Sequence, residues 1–124
     1  MAISGSLSIR IGETCFVRHF SDHGWFAAEL VGHLDSLLQA DDAALEVLKL
    51  LGYLVQIDRT FPPRTAAHWV EVDLDKRVLT TNSEVIRKAV MQKPPDEVAP
   101  YSQISLDRIY GILDAFDFTV RLLS

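Results

Sequence analysis

Leu7, Ile9 and Ile11 alternate with Ser8, Arg10 and Gly12, the period of a strand with one buried face. Gly12-Glu13 reads as a turn, and Thr14 to Phe20 as the returning strand of a hairpin, with Phe16, Val17 and Phe20 too continuous for a face open to water. The period then lengthens. Phe26, Leu30, Leu34, Leu37 and Leu38 recur at helical spacing, and Asp22 stands ahead of them to accept from the first free backbone N–H groups. Asp41 or Asp42 starts a second helix, with Leu45, Leu48 and Leu51 expected inward and Asp42, Glu46 and Lys49 outward. Gly52 closes it, because glycine adopts a left-handed cap at little cost.

Tyr53 to Asp58 is rich in strand-favouring residues. Thr60 to Thr65 must be a loop, since neither Pro62 nor Pro63 can donate to a sheet ladder. His68 to Leu74 puts Val70, Val72 and Leu74 on one face and Trp69, Glu71 and Asp73 on the other; Asp75-Lys76 turns the chain and Arg77 to Thr80 returns as the partner strand. Thr81-Asn82-Ser83-Glu84 has the spacing of a capping box, and the short helix after it, with Val85, Ile86, Ala89 and Val90 inward, must stop before Pro94-Pro95. Lys93 to Gln103 reads as a long surface loop. The last segment fits two periods. Leu106, Leu113 and Val120 repeat every seven residues, as do Ile109, Phe116 and Leu123, whereas Phe116, Phe118, Val120 and Leu122 alternate with Asp117, Thr119 and Arg121. With no Gly, Pro or Asn to part a helix from a strand, one long C-terminal helix opened by Ser105 is expected. The order ββααβββαα describes a single α+β domain spanning residues 1–124. Its sheet is expected to be mostly antiparallel, of about five strands, with helices packed on one face and the other face free.

A chain of 124 residues with 48% apolar and 23% charged positions can bury a core without a metal or disulfide. Cys15 is the single cysteine and forms no internal bridge. The N-terminus lacks the basic start and apolar run of a secretory signal, and no stretch approaches the roughly 18 consecutive apolar residues of a membrane span, so cytoplasmic residence with no membrane contact is expected. Lys and Arg number 12 against 17 Asp and Glu, for a net charge of −5. The excess is concentrated. From Asp22 to Leu50, the carboxylates Asp22, Glu29, Asp35, Asp41, Asp42 and Glu46 face Lys49 alone, and the rest of the chain is balanced. Such a segment repels a phosphate backbone, which disfavours nucleic acid as a partner.

The motifs of catalysis are missing. There is no serine elbow, phosphate-cradling glycine loop or dinucleotide fingerprint, so no catalytic residue and no cofactor are expected. His19 and His23 are spaced i, i+4, but one ends a strand and the other begins a helix, and no metal site is expected there. Cys15 lies in a strand, where a thiol is ordinarily a small buried hydrophobe. Phe61-Pro62-Pro63-Arg64 and Lys93-Pro94-Pro95-Asp96 are incomplete polyproline ligands and read as stiffened loops. Trp69, among carboxylates, is either covered by its own chain or part of an interface.

These features point to a non-enzymatic interaction module of the regulator, inhibitor, immunity-protein or chaperone type. It is expected to bind the basic surface of another protein through Glu29, Asp35, Asp42, Glu46 and Trp69. Homodimerisation is expected to use Trp69 or the C-terminal helix. The alternative is a small-molecule-binding domain or small enzyme, with a pocket between sheet and helices lined by Tyr53, His68, Trp69 and Tyr110.

Overall fold

Leu7 and Ile9 are completely buried at the centre of a six-stranded sheet, in a computed structural model that describes residues 3–52, 54–91 and 106–123. The elements in chain order are β1 (Gly5–Ile11), β2 (Thr14–Phe20), α1 (Phe26–Val31), α2 (Leu34–Leu38), α3 (Ala43–Leu51), β3 (Gln56–Asp58), β4 (His68–Asp73), β5 (Val78–Thr81), α4 (Glu84–Met91), α5 (Leu106–Ala115) and β6 (Thr119–Leu122). Across the sheet the strands run β3-β2-β1-β4-β5-β6. One continuous core joins the sheet residues Leu7, Ile9, Phe16, Val70, Val72 and Leu79 to the inward residues of all five helices. The described residues therefore form an α+β domain. None of its helices is long and apolar enough to cross a membrane.

The sheet is mixed rather than mostly antiparallel, and has six strands rather than about five. β1 pairs β2 antiparallel, β2 pairs β3 antiparallel and β4 pairs β5 antiparallel, but β1 pairs β4 parallel and β5 pairs β6 parallel. The cause of the first parallel pair is the proline segment. Residues 59–67 carry the chain from edge strand β3 across β2 and β1 on the side away from the helices, so that β4 docks alongside β1. That side of the sheet is thus not left free. Ser6, Ser8, Cys15 and Val17 lie buried on it.

The expected C-terminal helix stops at Ala115. Phe118 N–H donates to the Leu113 carbonyl (2.9 Å), Asp117 N–H donates to that of Asp114 (3.2 Å), and Asp117 takes a φ of 58°. This is the Schellman closure with aspartate in the left-handed position glycine usually fills. Beyond it the alternating pattern prevails: Val120 and Leu122 register with Leu79 and Thr81 on the helix side of the sheet. Tertiary pairing with β5 thus overrides the seven-residue repeat, and the heptad surface proposed for dimerisation does not exist. Asp117→Gly should stabilise the fold by about 0.5–1 kcal/mol, and Asp117→Val should destabilise it by about 1–2 kcal/mol, as read by urea denaturation.

Three local details also differ. The first helical stripe is broken into α1 and α2 at Gly32-His33, where the Gly32 carbonyl is taken by Arg108 Nε of α5 (2.8 Å). The helix-capping hydroxyl before α4 belongs to Ser83, which accepts from Ile86 N–H (3.4 Å). Thr81 is instead the last residue of β5, donating to the Trp69 carbonyl (2.7 Å) and accepting from Ser83 N–H (2.9 Å). Finally, α3 buries Val47 and Leu51 but leaves Leu45 and Leu48 exposed. As expected, Asp42 caps α3, accepting from Leu45 N–H (3.1 Å), and Gly52 ends it at a φ of 76°. Ser105 and the loop from Lys93 to Gln103 lie outside the described residues.

Candidate functional site

The fold disperses the acidic segment. Glu29 faces inward from α1 and is 7% exposed, so it is withdrawn from any docking surface. Asp35 of α2 lies 3.6 Å from Arg108 Nη2, an ion pair supplied by α5. Glu46 pairs with Lys49 on its own helix (3.2 Å). Asp22 accepts from the backbone N–H of Ile3 (3.3 Å) and of His23 (2.8 Å). These bonds, His23 first, hold its carboxyl below the usual aspartate range. Asp41 and Asp42 stand exposed at the start of α3, with no cation within ion-pair distance among the described residues.

Trp69 is covered by its own chain. It is 7% exposed, and the Arg64 guanidinium lies over its ring, 4.5 Å from the centroid. Arg64 also forms a two-point pair with Glu71, Nε to Oε2 at 3.0 Å and Nη2 to Oε1 at 2.9 Å. The guanidinium thus clamps the proline segment onto the outward side of β4, satisfying a carboxylate that the crossing itself buries. This removes Trp69 as a contact residue for a partner or second copy.

The second expected set does not assemble either. Register places Trp69 opposite Ser6 and His68 opposite Gly5, so these neighbours in β4 point to opposite sides of the sheet. Tyr110 lies on α5, on the helix side away from Trp69, and Tyr53 lies outside the described residues. Cys15 is fully buried, and burial pushes its thiol pKa up, the opposite of what a nucleophile requires. His19 is exposed on β2, opposite Ser6, while His23 lies beyond the strand in the connection to α1.

A different surface is assembled at the edge where the sheet ends on β3. Helix α3 rests on β1 and β2. Its Glu46, Lys49 and Leu50 border a hollow shared with Leu30, His33 and Ser36 of the first two helices and their junction. At 3.6 residues per turn, Leu48 then lies on the flank turned away from α1 and α2, with Leu45 beside it on the outer side. That flank is turned toward the β3 edge of the sheet, where Ile57 registers with Phe16 and so faces the helix side. The exposures are 48% for Leu45, 38% for Leu48, 64% for Leu54 and 66% for Ile57. Of the other exposed large apolar residues, Ile3, Met91 and Leu123 adjoin undescribed segments, and Phe26 belongs to a separate hollow. Residues 45–57 therefore carry four of the eight exposed large apolar side chains among the described residues.

Its signal in the sequence is surplus. The α3 sequence AALEVLKLL has only Glu46 and Lys49 as polar residues, more apolar positions than one buried stripe uses. Assigning Leu45, Leu48 and Leu51 together to the core hid the excess. The chain matches no protein-family profile, no curated protein and no solved structure.

Proposed function

We propose that the chain is a non-catalytic interaction domain whose α3–β3 corner docks an apolar segment with basic flanks on another protein. The observation that carries this reading is that Leu45 and Leu48 on α3, and Leu54 and Ile57 in the chain that follows it, are each 38–66% exposed. Isolated exposed leucines are ordinary, but a cluster rimmed by charge is the composition of a recognition patch. Burying such a side chain against a partner contributes on the order of 1 kcal/mol or more. The charge of the occupant follows from the rim. Residues 41–59 carry Asp41, Asp42, Glu46 and Asp58 against Lys49 and Arg59, and among the described residues no cation pairs with Asp41 or Asp42. Complementary charge accelerates encounter and rejects acidic competitors. The outer side of β3, an edge among the described strands, adds backbone donors and acceptors beside Ile57.

A photo-crosslinking residue placed at Leu48, with a second at exposed Asp114 of α5 as control, tests the assignment. Crosslinks from position 48 should reach a discrete partner, be absent from position 114, and fall at least tenfold on Asp41→Lys with Asp42→Lys or on Ile57→Asp. Equal crosslinking from both positions, indifference to those changes, or sedimentation showing that a second copy occupies the corner would overturn the reading.

A further inference from the structure

Strand β2 places an arginine where its pattern calls for an apolar side chain. Arg18 registers with Leu7, between Phe16 and Phe20 on the helix side of the sheet. Its Nη1 donates to the Leu51 carbonyl at the end of α3 (3.1 Å), and its Cζ lies 4.8 Å from the Phe20 ring centroid. No carboxylate among the described residues comes within ion-pair distance of it, and its buried Nε meets no acceptor. Half-buried cations are ordinarily neutralised by a partner, and the described residues supply no carboxylate here.

The guanidinium borders a hollow of about 380 Å³ whose other walls are Phe20, Ser21, Asp22, His23, Phe26 and Leu30. That is ample for a small organic molecule; such sites run from about 300 to 1,000 Å³. The walls favour a flat apolar body. Phe20 and Phe26 are nearly parallel, 16° apart with centroids at 6.4 Å, and Trp25 backs Phe26 at 4.4 Å. Phe26 is nonetheless 38% exposed and lines the hollow, so part of its ring is open there. Asp22 on the rim accepts from two backbone N–H groups, those of Ile3 and His23. One cation, apolar walls and a carboxylate on the rim suit a singly charged guest and oppose a phosphate.

We propose that this hollow binds a small aromatic monocarboxylate, its ring against Phe20, Phe26 and Leu30 and its carboxylate on Arg18. The site is independent of the α3–β3 corner. The test is an NMR titration of the full chain with 1-naphthoate, matched against neutral 1-naphthamide. The carboxylate should shift the resonances of Arg18, Ser21, His23 and Leu30, and bind at least tenfold more tightly than the amide. Arg18→Gln should weaken naphthoate binding at least tenfold while keeping a dispersed native spectrum. Should that variant fail to fold, Leu30→Trp, which fills the hollow and retains the arginine, must abolish the same shifts. Leu48→Asp with Ile57→Asp should leave the titration unchanged, separating this site from the docking corner. Equal binding of acid and amide, shifts centred elsewhere, or none at millimolar naphthoate would overturn the proposal.

Discussion

Gly24→Ala is expected to cost about 3 kcal/mol of stability and to lower the melting temperature by roughly 10 °C. Gly24 N–H donates to the Ile3 carbonyl at 2.8 Å, bringing the β2–α1 connection against the start of β1. A Cβ added there would press into the Ser4 carbonyl, and one added at Gly5 would press into the backbone of Gly24. Both obstacles are main chain, which no rotamer change can move aside. Neither glycine takes a positive φ, so the penalty is steric crowding and not backbone conformation. Gly111 is the control: it is in α5 with open space around its Cβ position, and Gly111→Ala should be neutral or stabilise by about 1 kcal/mol. Thermal denaturation followed by circular dichroism reads both. A Gly24→Ala variant that melts within 3 °C of the parent would show that the two segments separate without loss.

Arg64→Ala should be the next most damaging, at about 2 kcal/mol. The Glu71 side chain is 9% exposed and the Arg64 side chain 45%, so the loss falls short of the 3–5 kcal/mol that follows from breaking a fully buried pair. The substitution strands a carboxylate under the proline segment and uncovers the face of Trp69. Glu71→Leu in the same chain removes the stranded charge, and the double variant should recover at least half of the loss. In a Trp25→Phe background, the emission of Trp69 should shift red in Arg64→Ala. If the double variant is no more stable than Arg64→Ala alone, the clamp acts by packing and not by neutralising Glu71.

How far the sequence could be read follows from where its signals are local. The β1–β2 and β4–β5 hairpins, the Asp42 cap and the Gly52 stop were legible, because turn chemistry and short-range periodicity determine them. The β1–β4 and β5–β6 pairings were not, because no local pattern states which strand a β-strand will lie beside. The end of α5 was misread for want of a glycine; aspartate met the left-handed requirement at Asp117. The candidate site was less legible still. Counting charges along the chain overlooked that Glu29 turns inward and that Arg108 arrives from α5 to meet Asp35. By contrast, Arg18 was visible in principle, as a charged residue in phase with Phe16 and Phe20 on an otherwise apolar face.

The central parallel pair also governs how the molecule is made. β1 is synthesised before the other strands of the sheet and is followed directly by its partner β2, but the strand that covers its other side begins only at His68. Until His68–Asp73 has left the ribosome and the proline segment has swung over, the middle of the sheet remains an open template. Closing so long a loop carries its entropic cost before any contact compensates it, which makes this step the natural bottleneck of refolding. Nascent chains that end short of β4 therefore expose a central strand edge, and it is these fragments, not the finished domain, that are set to associate with one another.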